Sequence, residues 1–374
     1  MNSKLAEANS PTHEDTELEG DEQPQTGGWR DYPLNELAIR AEQRAVQDVI
    51  RRIDQSRFVI DPEFQRDFVW GIKKQSRLIE SILMRIPLPV FYVSEDKKGR
   101  LIVVDGRQRL TTLQRFLSGE LSLDLEDRSN LHDKKFEQLE LGLQNRIQDC
   151  QLLFYIIGHS VPERARLDIF ERVNGGEVLT RQQMRNAIYN GPATWFLKQE
   201  AQTDLFKKAT GGSLNAKKMQ DRELINRFCS FFILNINDYP GDMDPWLAKG
   251  LQQLNDMDPP ERERIEVQFR RSMRNNLELF GKHAFRKHWE FDSEQTEGRN
   301  PFNASLFDVM STALARCDEA QVRQWASTLR DRFYALMQDE SFGRSITFSP
   351  SSTKQVKTRF EYIRQFTAGV PDAD

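Results

Sequence analysis

The sequence predicts an α+β domain followed by an all-helical region. Short β-branched and aromatic runs alternate with helical periodicities up to about residue 190, the strand signal nearly vanishes after Gly191, and prolines separate the helical runs beyond it. At 374 residues the chain exceeds the roughly 250–300 at which single cores stop growing, so two domains are expected. Residues 1–31 read as a disordered acidic tail, 32–190 as the α+β domain and 191–374 as the helical domain.

The tail comes first. Seven acids (Glu7, Glu14, Asp15, Glu17, Glu19, Asp21 and Glu22) face Lys4 and Arg30, and few large apolar residues are present to offset the entropy of ordering. The next apolar residues, Val46, Val49, Ile50 and Ile53, are spaced for a helix over Ala45–Asp54, and Phe58–Ile60 reads as a strand ending at Pro62. Leu78, Ile79, Ile82 and Leu83 share one face of a helix over Lys73–Arg85, which Pro87 and Pro89 end. Pro89–Val93 and Leu101–Val104 form a hairpin across the charged loop Ser94–Arg100. Asp105-Gly106 closes its second strand, and Leu110, Leu113, Phe116 and Leu117 resume helical spacing at once. Leu121–Leu125 reads as a strand, Leu139–Ile147 as a helix and Gln151–Ile157 as a buried strand. A helix then runs from Pro162 to Val173, Asn174-Gly175-Gly176 breaks it, and Thr180 caps the next. In the last region helices are predicted over Met219–Ile236, Glu261–Phe280 and Ala320–Met337.

Composition narrows the function. No apolar run approaches the roughly 18 residues of a membrane span and no signal pattern opens the chain, so a cytoplasmic protein with no membrane partner is expected. Cys150, Cys229 and Cys317 are too scattered for a disulfide framework or a zinc site. The net charge of −4 sits in the tail; residues 31–374 hold 51 basic and 50 acidic side chains, which argues against a broad basic nucleic-acid face and leaves room for a compact one.

Chemistry concentrates at Asp105-Gly106-Arg107-Gln108-Arg109. A strand running straight into a helix presents unpaired N–H groups and the positive helix end, a seat for phosphate. Arg107 and Arg109 add charge, Gln108 is donor or acceptor, Thr111 and Thr112 add hydroxyls, and Asp105 is the candidate Mg²⁺ ligand or water-orienting group. The alternative is an ordinary tight turn with surface arginines. A second segment, Asp61–Trp70, carries Gln65, Arg66 and Trp70 out of the first strand. Trp70 either stacks on a base or plugs the core with Phe64 and Phe68, and Arg66 either meets a ligand or pairs with Asp67 or Glu63.

Four blocks, PEFQRDFVW (Pro62–Trp70), LIESILMRIPLP (Leu78–Pro89), VDGRQRLTT (Val104–Thr112) and FERVNGGEVLTRQQMRN (Phe170–Asn186), resemble in order the N-terminal domain of GmrSD-type restriction enzymes. The resemblance implies a ParB/sulfiredoxin-like fold and an Asp-Gly-Gln-Gln-Arg motif implicated in binding and hydrolysing nucleoside triphosphates, often GTP, in defence against phage. Asp105, Gly106, Gln108 and Arg109 match that motif, while Arg107 replaces its first glutamine and leaves base preference and turnover open. Gln65 and Arg66 match the upstream pair, and Asn174 matches an asparagine that contacts ligand or caps the turn. Arg107 and Arg109 would then hold phosphates, Gln108 would orient the nucleophile, and Gln65 with Arg66 would close the site. Such domains often work in pairs, so a homodimer is one expected state. The helical region resembles what stand-alone members carry, including Met219–Glu223, and implies no separate activity.

The family's HNH nuclease partner is not expected in this chain. Its histidines are His13, His132, His159, His283 and His288, and the last two, five apart, would point about 140° apart on a helix. The HAFRKHWEF segment around them reads instead as a basic, aromatic helix surface. No phosphate-binding Gly-x-x-x-x-Gly-Lys loop is present, since Gly211-Gly212-Ser213 and Lys217-Lys218 have the wrong spacing. Ser341–Phe360 holds Arg344, Lys354, Lys357 and Arg359 without an acid, which suits phosphates or a solvated loop and helix face. The arginines and glutamates of 261–278 read as an exposed, ion-paired helix. Three functions follow: an NTPase, a non-catalytic nucleotide or DNA sensor that regulates a separate nuclease or helicase subunit, or an interaction protein with a vestigial pocket.

Overall fold

The computed structural model describes residues 18–19, 39–60, 70–128, 130–173, 180–288 and 300–371. After β1 (Leu18–Glu19), the α+β domain runs β2 (Ile39–Ala45), α1 (Val46–Asp54), β3 (Phe58–Val59), α2 (Ile72–Leu83), β4 (Phe91–Glu95), β5 (Leu101–Asp105), α3 (Arg107–Leu117), α4 (Leu141–Gln148), β6 (Gln151–Ile157), α5 (Glu163–Val173) and α6 (Arg181–Ile188). Its sheet is mixed, in the order β2-β6-β4-β5-β3. β2 and β6 pair antiparallel, as do β4 and β5, while β4 with β6 and β3 with β5 are parallel.

Alternation along β5 places the layers. Leu101 and Val103 join a core with Val49 of α1, Ile79 of α2 and Leu110, Leu113 and Phe116 of α3. Val104 and Ile102 point the other way, to Met184 and Ala187 of α6. A strand buried on both faces reads as the continuous run Leu-Ile-Val-Val. Phe154 of β6 lies 5.3 Å from Phe58 and 5.1 Å from Phe91, ring pairs that each add about 0.5–1.5 kcal/mol beyond their burial and hold β3, β4 and β6 in register.

The helical region comprises α7 (Pro192–Gln202), α8 (Asp204–Thr210), α9 (Gln220–Ile233), α10 (Met243–Asp256), α11 (Pro259–Phe280), β7 (Phe302–Asn303), α12 (Ala304–Arg316), α13 (Glu319–Gln324), α14 (Ala326–Gln338), α15 (Glu340–Ser345) and α16 (Thr353–Phe366). Eleven of the thirteen residues of α12 are buried, which makes it the central helix. Asp308 on it is fully buried and accepts from Arg227 at 2.8 and 2.7 Å and from Arg359 at 2.9 Å.

Several expectations are corrected. Leu18–Glu19 is not disordered: it pairs with β7, and Glu19 meets Lys287 at 2.8 Å; the rest of 1–31 lies outside the described residues. Leu121–Leu125 is not a strand, because Leu123 exchanges bonds with the 133–134 segment for a single pair before Asp133, at φ +58°, turns the chain away. The run 320–337 is two helices broken at Trp325. Arg359 is no phosphate-facing surface group, since Asp308 holds it in the core. The 283–288 segment is not a helix surface: His283 ends a short 3₁₀ turn, Phe285, Arg286 and His288 are buried, and the two imidazoles lie 5.3 Å apart. The ion-paired reading of α11 holds, with Arg270 on Glu266 and Glu200 and Arg274 on Glu319.

Candidate functional site

Asp105 ends β5 and Gly106 turns the chain directly into α3. Gly106 has φ +97°, where side chains are strained, and a Cβ there would stand 2.2 Å from Cδ1 of Phe91. Glycine is therefore required by conformation and by space. α3 opens with no side-chain cap and no acidic residue in its first turn. Its first-turn N–H groups and the positive end of its dipole stand beside the Asp105 carboxylate, a place for an anion and a cation together.

Arg109 fixes that carboxylate. One terminal nitrogen donates to the carbonyl of Pro89; the other donates to Val90 O at 3.1 Å and Asp105 Oδ2 at 2.8 Å. The guanidinium lies 4.3 Å over the Phe91 ring, and Arg109 as a residue is 8% exposed. Burial pulls it below its ordinary value, against the pull of Asp105. Asp105 keeps a partly exposed carboxylate with Oδ2 committed to Arg109. Opposite it in the ladder, at a register shift in β4, burial followed by Tyr155 and Asp105 pushes the Tyr92 phenol up.

The other predicted residues divide. Gln108 is half-buried, and among the described residues nothing bonds its buried Oε1, while its carbonyl accepts from Thr112 Oγ1 at 2.7 Å. Arg107 is buried, with Thr111 half-buried one turn on. Trp70 packs partly against the core with Lys74 Nζ 4.6 Å from its ring centre. Gln75 ties it to α3, donating to Trp70 O at 2.8 Å and accepting from Arg115 at 3.2 Å. Gln65, Arg66 and Asn174 lie outside the described residues. β3 is parallel to β5, so the chain leaves it at Ile60 from the sheet end where Asp105 stands. Among the described residues no three His, Cys, Asp or Glu side chains converge on a metal position, and no helix is long and apolar enough to cross a membrane.

One buried network was not read from the sequence. Thr180 caps α6, and Arg181 binds Asp168 of α5 at 2.8 Å and also Asp244 of α10. Arg185, 1% exposed, reaches Asp244 at 2.6 Å and Gln182 at 3.0 Å, and Gln182 accepts from Asn226 of α9 at 3.4 Å. The signal was present in Arg181-Gln182-Gln183-Met184-Arg185-Asn186, five polar residues in six, on a helix that must cover an apolar sheet face.

Residues 46–190, from the start of α1 to just past α6, match the family model described as the N-terminal domain of the GmrSD restriction endonuclease. No match was found among the curated proteins or the solved structures.

Proposed function

On the premise that residues 46–190 form a GmrSD-type N-terminal domain, the domain of a restriction-type, anti-phage system, we propose that the β5–α3 junction binds and hydrolyses a nucleoside triphosphate, with GTP favoured. The observation that carries this reading is the uncapped, acid-free start of α3 at Gly106 beside a partly exposed Asp105. The first-turn N–H groups receive phosphate oxygens and Arg107 supplies charge. Gln108, whose Oε1 has no bond among the described residues, orients the attacking water. Arg109 is the positioning residue that aims Asp105. Mg²⁺ is commonly bound by one or two carboxylates plus substrate phosphates, which a single Asp105 satisfies; held there, it supplies charge neutralisation on the transferring phosphoryl group. Water attacks the γ-phosphorus, the bond from it to the β–γ bridging oxygen breaks, and nucleoside diphosphate and inorganic phosphate leave, with the water's proton passing to phosphate or solvent.

A second reading, a sensor without turnover, is favoured by the engagement of Arg109 with three protein acceptors. In it, occupancy is relayed through the α6 network to the helical region and on to a separate nuclease or helicase. Phosphate release from each NTP with Mg²⁺, with and without DNA, tests both for wild type, Asp105→Ala and Arg109→Ala. Hydrolysis predicts release that Asp105→Ala abolishes; nucleotide binding with no release leaves the sensor, and no binding at all rejects both.

A further inference from the structure

Away from Asp105, at the opposite end of the sheet, two cavities share Arg100 as a lining residue. The first, about 320 Å³, lies between β2, the end of α1 and the β4–β5 hairpin, and is lined by Arg40, Arg44, Arg52, Arg57, Lys98 and Arg100. Four carboxylates answer them: Glu95 takes Arg40, Glu42 and Asp48 take Arg44, Asp48 also takes Arg52, and Asp96 takes Arg100. Arg57 and Lys98 are exposed and have no acidic partner among the described residues. Nε of Arg44 is buried and unbonded among them as well. The hairpin that presents Lys98 and Arg100 is rigid, because Asp96 accepts from both their backbone N–H groups at 2.8 Å.

The second cavity, about 810 Å³, begins at the same Arg100 and passes between the hairpin and the helical region, lined by Trp195, Gln199 and Arg262. Trp195 is 51% exposed, unusual for an indole that could have been buried. Lys198 Nζ lies 5.0 Å from its ring centre. Of the two acids on this wall, Glu266 is paired with Arg270 at 2.7 Å, which leaves Glu263.

We propose that these neighbouring cavities bind a single strand of nucleic acid, its phosphates on Arg57 and Lys98 and a base on Trp195. A track of surplus cations leading to an exposed aromatic face is the chemistry that recognises an unpaired strand. A duplex has no free base face to offer Trp195. The site is separate from Asp105 and stands whether or not nucleotide is turned over there.

The test is fluorescence anisotropy of the full chain with a labelled mixed-sequence single-stranded oligonucleotide across a salt series, with a labelled GTP analogue titrated in parallel. Arg57→Ala/Lys98→Ala should weaken strand binding at least tenfold and reduce the log–log salt slope by about 1.4, two phosphates at about 0.7 each. Trp195→Ala should weaken binding at least about fivefold and leave the slope unchanged. Both variants should bind the GTP analogue like wild type, so loss of strand binding with nucleotide binding intact identifies this groove. A wild type that does not bind the strand at low salt, a double variant with unchanged slope, or a Trp195→Ala variant that binds the strand as tightly as wild type overturns the proposal. Loss of GTP binding in Asp105→Ala with strand binding unchanged supports it, whereas loss of both in Asp105→Ala moves the strand to the β5–α3 junction.

Discussion

Gly106→Ala probes the turn on which the candidate site depends. Two costs follow from the structure. Alanine at φ +97° loses about 1–2 kcal/mol to left-handed strain. Its methyl would also lie 2.2 and 2.7 Å from the edge of the Phe91 ring, and Phe91 is fully buried between Phe154 and Arg109, so relief by overpacking costs about 1–3 kcal/mol. Together these predict a loss of about 2–5 kcal/mol in equilibrium urea unfolding. A double-mutant cycle separates them: with Phe91→Leu the ring edge is gone, so the second cost is recovered as a coupling of about 1–3 kcal/mol while the conformational cost remains. A coupling within about 0.5 kcal/mol of zero would refute the close approach of Phe91 to the turn.

Other perturbations have calculable signs. Asp308→Asn strips two buried guanidinium groups of their carboxylate and should cost about 3–5 kcal/mol in urea unfolding; a loss below about 1 kcal/mol contradicts the buried pairing. Arg185→Ala removes one of the two arginines on Asp244 and one of the two donors to Gln182, leaving Arg181 and Asn226, and should cost about 1.5–3 kcal/mol while separating the unfolding of the α+β domain from that of the helices; a single unshifted transition would show that α6 does not couple them. His288 is pulled below its ordinary 6.5 by burial, with His283 adding to the shift, so the unfolded chain binds its proton more readily. Its stabilising contribution is full above about 6.5 and is lost as pH falls below that value; His288→Phe should flatten the melting-temperature profile on the acid side of about pH 6.5, and an unchanged slope argues against it.

The strands and helices whose apolar residues follow one period were legible. β5 and α3 are placed by Leu101–Val104 and by Leu110, Leu113 and Phe116, and the junction between them follows from Asp-Gly. β2 was not legible, because the side chains it turns toward the α1 face are Arg40, Glu42 and Arg44, charges paired with one another and with neighbours instead of an apolar row. The burial of Arg359 was equally hidden: an acid-free segment looks like surface until Asp308, fifty-one residues earlier, is seen to face it. At the site, the motif pointed to Asp105, Gly106 and Arg109 but not to the acceptors of Arg109, because Pro89 and Val90 lie just before β4 and leave no trace in a local motif. Conversely, the Arg181–Asn186 run was visible as composition, and its partners on α9 and α10 were not.

Hydrogen–deuterium exchange with and without GTP and Mg²⁺ tests the central claim most directly. Binding at the α3 N-terminus predicts slowed exchange over Gly106–Arg109, the first-turn amides that would hold phosphate, with that slowing lost in Asp105→Ala. Nucleotide bound at saturation with exchange over Gly106–Arg109 unchanged would contradict it.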